Sequence, residues 1–540
     1  MIKTFSQAIR FLESFIPPPD KKHPGELGLS RMKYLVSLLN NPQLKYPTIH
    51  VGGTSGKGST ATIIASILAT KYKVGLYTSP HLERITERIT ILNCGSCRKS
   101  VPTSASKSPR LSSGLKASEA PVGMPSFTSP ALKINDISKK EFVDLVNEVI
   151  PKIKKIKKSQ FDSPSYFEII AAMAFVYFAQ KKVDLAVIEV GMGGRVDATN
   201  VIAPLVAVLT NVGLDHTEVL GDTVEKIASD KVGIIKPGIQ VVSGVKQSSV
   251  IRIIKEVCRK NNAFLSLLIP PPARSPSGWT FRMNPSVFGR RSRATWQVSY
   301  GCFSYRIKNL TSQESVFDYL GEKTYRNLRL SLLGGHQVEN ACLAIRAVEV
   351  INSFFQGGRT SNEVRPLKGK IRERYIRGAL KAVFIPGRLE VIRKLPLVIL
   401  DGAHNQDKAK ALAEAIKKIF PGRKVILVLA IKKGKDATGM ISRLVSVSDK
   451  IILTKFRLIT DLGDTFSYTP EDLYKIVKKI DNKIRVKIVN DPFQAVQEAM
   501  QSGIHRKRSE SLTDLILVTG SLYLVGEVRR NFQFSIHNFQ

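Results

Sequence analysis

The sequence has few acidic residues for its size and very little cysteine. Its 540 residues contain 44 Asp and Glu against 82 Lys and Arg, which leaves a formal net charge of +38. The five cysteines are an odd number scattered along the chain, so a disulfide framework is excluded. Cys94 and Cys97 form a CxxC pair without a second pair or two histidines nearby, and we predict an incidental pair in a loop, not a zinc site. We expect a reduced, cytoplasmic protein.

Long hydrophobic runs are also missing. The longest apolar stretches fall well short of the ~18 residues that span a bilayer, so no membrane span is predicted. Residues 1–17 have apolar side chains at helical spacing with charges between them, which predicts an amphipathic helix and not a signal peptide. With 43% hydrophobic and 23% charged residues the composition is that of a globular protein.

The excess of basic residues predicts attraction of anions, but net charge does not choose among nucleic acid, nucleotides and acidic metabolites. A basic P-loop protein that binds nucleic acid is therefore one hypothesis. It requires basic residues gathered on one face among exposed aromatic residues. The lysines here occur throughout the chain, as at 152–158 and 432–435, so we do not expect nucleic acid as a partner.

Strand-like apolar runs alternate with helical patterns, which predicts the α/β class with a mostly parallel sheet covered by helices. A second alternation begins near Leu389, after the hinge-like pair Pro386-Gly387. We predict a P-loop-type domain over residues 1–386 and a smaller Rossmann-like domain over 387–540. The predicted elements are strands 48–51, 185–190, 205–209, 398–400, 424–429, 450–454 and 515–518, and helices 59–71, 224–235 and 408–419.

Two stretches interrupt this alternation. Residues 94–133 are rich in Ser, Pro and Lys with few large apolar side chains, a composition that predicts a disordered insert. Residues 269–296 contain three consecutive prolines and five arginines but no acid, and we predict a half-ordered insert there.

A glycine-rich segment lies between a predicted strand and a predicted helix. Its glycines let backbone N–H groups close on phosphate oxygens, Lys57 adds a positive charge, and the helix N-terminus adds its dipole. Only three residues separate Gly52 from Gly56-Lys57, so the spacing differs from the ordinary Walker A motif. The alternative, a glycine turn without phosphate, is disfavoured by the position between strand and helix. The predicted phosphate-binding residues are Thr54, Ser55, Gly56, Lys57, Gly58 and Ser59.

Several polar residues end or follow apolar strands. Glu189 lies at the end of strand 185–190, where a carboxylate is costly unless it is paired or binds metal. From the residues alone, Glu189 is either a magnesium ligand or the partner of a salt bridge to Arg195, and both alternatives stay open. Asp401 and His404 follow strand 398–400, the position expected of a site at the carboxyl ends of parallel strands.

These segments resemble the folylpolyglutamate synthase/dihydrofolate synthase family of the Mur ligase superfamily. Ser55 stands where the family usually has Asn, Gln406 where Pro is common, and Asp230 and Val232 where Glu and Ala are usual. The matching segments, in the family's order, are LGLSR (27–31), GGTSGKGS (52–59), SPHL (79–82), SYFE (165–168), EVGMGGRVDATN (189–200), LDH (214–216), SDKVGI (229–234), HQVENA (336–341), PGRLE (386–390), DGAHN (401–405) and TGSLY (519–523).

The resemblance implies roles for individual residues. Magnesium would be bound by Ser79, Glu189 and His216, and Lys231 would be carbamylated, so that it helps to hold a metal and orient phosphate. Asn340 and Arg388 would contact ATP, Asp401 the nucleotide or metal, and His404 and Ser521 the incoming glutamate. The residues implied to lie by the pterin substrate are Ser165, Tyr166, Phe167, Glu168, Arg195, Val196 and Asp197.

The implied activity is an ATP- and Mg²⁺-dependent ligase that adds L-glutamate to a folate through an acyl phosphate, and we expect a monomer. The motifs are common to both activities of the family, so the choice between dihydropteroate, tetrahydrofolates or both stays open. Another Mur-type amino-acid ligase is the nearest alternative. It is disfavoured because the LGLxR, SPH and GGRxDATN segments are those of the folate branch.

Overall fold

The computed structural model describes residues 1–16, 25–94, 132–269, 300–357, 367, 369–460, 463–504 and 514–537. Two sheets carry the fold, one in each half of the chain, which confirms the predicted α/β class. None of the helices in these ranges is both long and apolar enough to cross a membrane.

The larger sheet has eleven strands in the spatial order β11-β10-β9-β8-β7-β6-β1-β5-β2-β3-β4. The central strands from β9 to β2 are parallel, and an antiparallel pair extends each edge. The strands are β1 Thr48–Gly52, β2 Val74–Tyr77, β3 Ile89–Cys94, β4 Leu132–Asp136, β5 Leu185–Glu189, β6 Pro204–Leu209, β7 Gln240–Ser243, β8 Phe264–Leu268, β9 Tyr300–Leu310, β10 Ser315–Leu320 and β11 Thr324–Leu330.

The smaller sheet has six strands in the order β12-β13-β19-β14-β15-β18, parallel except for the edge pair β12–β13. A separate antiparallel pair, β16–β17, lies outside it. The strands are β12 Glu390–Lys394, β13 Leu397–Leu400, β14 Val425–Leu429, β15 Lys450–Leu453, β16 Arg457–Thr460, β17 Gly463–Phe466, β18 Arg485–Ile488 and β19 Leu515–Thr519.

Helices cover both faces of each sheet, as buried parallel strands require. Helix α3 packs beside α9 on one face of the large sheet, and α5, which is apolar nearly all round, is buried on the other face. The helices are α1 Phe5–Glu13, α2 Gly25–Leu38, α3 Lys57–Ala69, α4 Lys139–Lys157, α5 Tyr166–Gln180, α6 Thr217–Leu220, α7 Val224–Lys231, α8 Ser248–Lys260, α9 Gly335–Gly357, α10 Glu373–Ala382, α11 Gln406–Ile419, α12 Ala437–Val445, α13 Pro470–Ile480, α14 Pro492–Ile504 and α15 Leu522–His537.

The structure corrects the limits of the first predicted insert. Cys94 ends β3 and residues 132–133 begin β4, and these two strands pair antiparallel, so the ends of the 94–133 segment belong to the sheet. Residues 95–131 and 270–299 lie outside the described residues. The amphipathic pattern over 1–17 forms a helix only from Phe5 to Glu13, which Thr4 caps by accepting the N–H of Gln7.

Candidate active site

A cavity of about 1320 Å³ is lined by residues from both halves of the chain. The loops that follow β1, β5 and β6 of the large sheet meet there with the loops that follow β13 and β19 of the small sheet. Sites at the carboxyl ends of parallel strands are the rule in α/β folds. All of the predicted site residues line the cavity except Tyr166 and Arg195.

The phosphate loop is held to the end of β6. The backbone N–H of Ser55 donates to Asn211 Oδ1 at 2.7 Å, and Thr210 Oγ1 donates to the carbonyl of Ser55 at 2.6 Å. Gly56 has φ +80°, a left-handed conformation that favours glycine, and it directly precedes α3. The hydroxyl oxygen of Ser55 is buried and has no hydrogen-bond partner among the described residues.

Asn340 stands next to this loop on α9. A Cβ atom built on Gly56 would lie only 2.4 Å from Asn340 Oδ1, so the loop and the amide group are in close contact. The Asn340 side chain also donates to Gln337 Oε1 at 3.0 Å and accepts from Thr60 Oγ1 at 3.3 Å. The amide is therefore fixed in orientation beside the phosphate loop.

Asp401 fixes the loop that carries Arg388. Its two carboxylate oxygens accept the backbone N–H groups of Leu389 and Ala403, at 3.0 Å and 2.9 Å. Gly387 and Leu389 both have positive φ, so the chain turns sharply on either side of Arg388. The geometry thus gives Asp401 a role in holding the hinge loop, which the sequence did not indicate.

Glu189 ends β5 as a buried carboxylate at the cavity. It accepts the backbone N–H of Ser79 at 3.0 Å, and its burial raises its pKa while the nearby Lys57 ammonium opposes that shift. The ion pair that the structure gives Arg195 is with Asp230, at 3.8 Å, and its side chain is 58% exposed. The geometry therefore favours a ligand for Glu189 over the alternative salt bridge.

His216 directly precedes the short helix α6 as its N-cap residue and has φ +52°. Its Nδ1 lies 3.6 Å from Glu218, and burial together with Lys435 lowers its pKa to about 4. The preceding residue, Asp215, was not predicted. It accepts from Lys435 Nζ at 2.6 Å and from Asn405 at 3.1 Å, and so connects the two halves of the chain.

Lys231 is the last residue of α7 and is buried at the cavity. Its Nζ donates to the carbonyl of Gly53 at 3.1 Å, directly behind the phosphate loop. Burial, reinforced by the charge of Lys57, lowers its pKa to about 7, which Asp230 only partly counteracts. Near neutral pH a large fraction of the Lys231 side chain is therefore an uncharged amine.

His404 has a defined tautomer. Its Nδ1 lies 2.8 Å from the carbonyl oxygen of Gly402, and because a carbonyl only accepts, Nδ1 carries the proton. Nε2 is then an acceptor, and it receives the ammonium of Lys408 at 2.7 Å. Ser521, the last predicted residue on this side, is buried and accepts the N–H of Tyr523 at 3.1 Å.

The carboxylate of Glu168 is fully engaged by the protein. Arg31 donates to both of its oxygens, at 2.7 Å and 2.8 Å, and the backbone N–H of Ser165 donates to one of them at 3.0 Å. Phe167 lies against Gly191, where a Cβ atom would come within 2.3 Å of the ring. Tyr166 packs in the core instead of at the cavity.

Asp197 is also tied down by protein groups. It accepts the backbone N–H of Met192 and of Thr199, each at 2.9 Å. The hydroxyl of Thr199 contacts it as well, and the buried His50 in turn lies 2.8 Å from that hydroxyl. This chain of contacts sets the shape of the loop after β5.

Five charged or polar residues, among other residues that line the cavity, were given no role by the sequence reasoning. A weak signal existed for three of them, because Asp215 precedes His216, Asn211 closely follows strand 205–209, and Lys408 is one helical turn after His404. Arg31 lies in a segment that carried the resemblance without a role, and Lys435 lies in a lysine run that was treated as a general bias. All five line the cavity or contact its loops: Arg31, Asn211, Asp215, Lys408 and Lys435.

Comparison with known proteins adds to this geometry. Residues 390–531 match the family described as dihydrofolate synthetase, C-terminal domain, and residues 137–258 match the Mur ligase middle domain. A dihydrofolate synthase/folylpolyglutamate synthase of Bacillus subtilis is 30% identical over 508 residues, 94% of this chain and 95% of that protein.

Solved structures agree. The Mycobacterium tuberculosis folylpolyglutamate synthase complexed with ADP and AMPPCP superposes with a TM-score of 0.73 at 26% identity, covering 98% of each chain. A folylpolyglutamate synthase structure with AMPPCP and folate has a TM-score of 0.68 at 27% identity, covering 98% of this chain and 99% of that one.

Proposed function

Because the chain belongs to the dihydrofolate synthase/folylpolyglutamate synthase family of Mur-type ATP-dependent ligases, we propose that its large cavity holds ATP, a folate and glutamate together. One observation carries the proposal: the phosphate loop, Glu189 and Lys231 of the first half and His404 and Ser521 of the second half line the same cavity. We further propose that residues 1–386 and 387–540 are its two domains.

We propose that ATP occupies the part of the cavity around the phosphate loop. Backbone N–H groups of the loop and the charge of Lys57 suit the phosphates, and these residues line the cavity. Arg388 reaches this region from the other half, on a loop that Asp401 holds rigid. Both cations would stabilise the negative charge of the phosphoryl group during its transfer.

Magnesium fits this arrangement as a partner of the nucleotide. In the described parts of the chain no three His, Cys, Asp or Glu side chains are grouped to hold an ion by themselves. Mg²⁺ is usually bound by one or two carboxylates together with phosphate oxygens and water, and the buried Glu189 supplies one carboxylate. We propose that Glu189, Ser79 and His216 would hold it, where it would offset the charge of the phosphates.

We propose that Lys231 is carbamylated. A carbamate forms when an uncharged amine attacks CO₂ and loses a proton, and the buried Lys231 with its lowered pKa meets that need. The product is an anion directly behind the phosphate loop, suited to hold a cation or orient phosphate.

The chemistry follows from the placement of these groups. A carboxylate is a poor electrophile, so the folate carboxylate takes the γ-phosphoryl group of ATP and ADP leaves. The amine of glutamate then attacks the acyl carbon, and phosphate is expelled as the amide forms. His404 and Ser521 line the cavity from the second half of the chain, and we place the incoming glutamate beside them.

The folate would lie in the part of the cavity lined by Ser165, Phe167, Val196 and Asp197. Phe167 offers an aromatic surface for a ring system. The carboxylate of Glu168 is paired with Arg31, so Glu168 affects the ligand only by helping to shape the cavity wall.

The test is an assay of the purified protein with ATP and glutamate, with dihydropteroate or tetrahydrofolate in parallel. We expect ADP release that depends on the pteroate or folate, and a product heavier by one glutamyl unit. The Lys57→Met variant should lose activity with both substrates. If the wild-type protein releases no ADP with either substrate and no product gains a glutamyl unit, the proposed function is wrong.

A further inference from the structure

Lys408 is a basic residue of the cavity to which neither the ATP site nor the metal site assigns a function. It lies in the first turn of α11, one helical turn after His404, and its side chain lines the cavity. Its Nζ donates to His404 Nε2 at 2.7 Å. Since the proton of His404 is on Nδ1, the imidazole is a neutral acceptor and does not compensate the charge of Lys408.

The acids of the cavity accept hydrogen bonds from other groups. Glu189, which is within electrostatic range of Lys408, accepts the backbone N–H of Ser79. The charge of Asp215 raises the pKa of Lys408, but the Asp215 carboxylate accepts hydrogen bonds from Lys435 and Asn405. Asp401 uses both of its oxygens for backbone N–H groups. No ion pair with an acid is found for Lys408 within the described ranges, while Arg388, Lys57 and Lys435 add positive charge around it.

A half-buried cation that lies among other cations and has no acid partner is unfavourable unless a ligand supplies the anion. In agreement, burial and the neighbouring cations drive the pKa of Lys408 well below its ordinary value. An arriving anion would oppose both effects. The protein thus keeps a site that is incomplete until an anion binds.

We propose that Lys408 binds a carboxylate of the incoming glutamate, with the His404 imidazole holding the ammonium in position. The inference rests on the proposed function. It adds a specificity-determining residue, since a dicarboxylic amino acid needs more cationic partners than a neutral one. The alternative ligand for Lys408 is the phosphoryl group. We favour glutamate, although Lys57 and Arg388 are among the cations around Lys408, because Lys408 is hydrogen-bonded to His404, beside which we place the incoming glutamate.

The test separates the two half-reactions in the Lys408→Met variant. Hydroxylamine traps an acyl phosphate without glutamate: its nitrogen attacks the acyl carbon, phosphate leaves and a hydroxamate forms. We expect the variant to form hydroxamate from ATP and folate at the wild-type rate with an unchanged KM for ATP. Its KM for glutamate should rise on the order of 10- to 100-fold, the range for a lost charge-assisted hydrogen bond.

Two further variants keep the test decisive. Lys410→Met on the exposed side of the same helix should leave every constant within about twofold. Lys408→Arg retains a cation and should recover part of the affinity for glutamate. A melting temperature of Lys408→Met equal to or above that of the wild type shows that the variant is folded, since it removes a desolvated charge.

Three results would overturn the inference. An unchanged KM for glutamate in Lys408→Met removes the proposed contact. A parallel loss of hydroxamate and ligation assigns Lys408 to the phosphoryl group instead. Absence of hydroxamate with the wild-type protein sinks the proposed function, and the inference with it.

Discussion

Arg529 of α15 donates a hydrogen bond to Glu83, which lies in the loop after β2, so an ion pair joins the last helix of the chain to the large sheet. The same guanidinium donates to both oxygens of Glu390, at 2.9 Å and 3.1 Å. All three side chains are at most 17% exposed. The loop that Glu83 belongs to also carries Ser79, whose N–H contacts Glu189, so this ion pair connects the second half of the chain to the predicted metal site.

Replacing Arg529 by Met should destabilise the protein by about 3 kcal/mol, because two largely buried carboxylates lose their cation. Calorimetry of the thermal transition measures the change. The matched control is Arg530→Met, since Arg530 is exposed and, within the described ranges, donates a hydrogen bond only to the carbonyl of Glu83. Equal shifts of the two melting temperatures would contradict the role given to Arg529.

The second prediction concerns the pair Arg31–Glu168, which joins α2 to α5. Glu168→Gln removes the charge of the acceptor and leaves a buried guanidinium unpaired, so we expect a loss of about 3–5 kcal/mol in stability. Activity per folded molecule should fall much less, because the carboxylate is not free to contact ligand. Glu148→Gln in the exposed part of α4 is the control. A variant with normal stability but a large rise in the KM for folate would show that Glu168 binds substrate directly.

A third prediction uses the glycine of the phosphate loop. Gly56→Ala places a Cβ atom 2.4 Å from Asn340 Oδ1 in a residue with φ +80°, so both the loop and the amide must move. We expect the KM for ATP to rise at least tenfold. Gly422→Ala is a matched control, because Gly422 has φ +76° but nothing within 4 Å of the added atom. The control pays only the backbone strain of about 1–2 kcal/mol, and an equal rise in KM in both variants would contradict the steric argument.

Much of this site could be predicted from the sequence because its residues lie in short segments next to strands. The run Leu185–Glu189 indicates a buried strand, and a strand end places Glu189 at the sheet edge where loops meet. The same reasoning correctly placed the phosphate loop and the segment that contains Asp401 and His404. The local hydrophobic pattern was sufficient here, because a residue at the carboxyl end of a parallel strand lies at the edge of the sheet where the site forms.

What could not be predicted depends on contacts between distant segments. Arg31 and Glu168 are 137 positions apart, and only the packing of α2 on α5 brings them together. The resemblance implied that Tyr166 lies by the substrate, but its side chain packs in the core with Ile169 and Ile170. Lys408 looks like a solvated lysine on a helix until the second half of the chain meets the first around one cavity.

The last prediction concerns pH and Lys231. Its pKa is lowered from the usual range of lysine to about 7, so the amine is protonated below pH 6 and uncharged above pH 8. A carbamate forms only on the uncharged amine. Turnover at saturating substrates should therefore rise as the pH increases from about 6 to 8, and added bicarbonate should raise it most in the lower part of that interval.

Lys231→Ala should lose turnover by about 100-fold or more and should lose the bicarbonate response entirely. Lys226→Ala, which removes an exposed lysine of the same helix, should retain both. Turnover near the wild-type level in Lys231→Ala would rule out the carbamate. As a direct measurement, ¹³C NMR of the wild-type protein incubated with labelled bicarbonate should show one carbamate signal that the variant lacks.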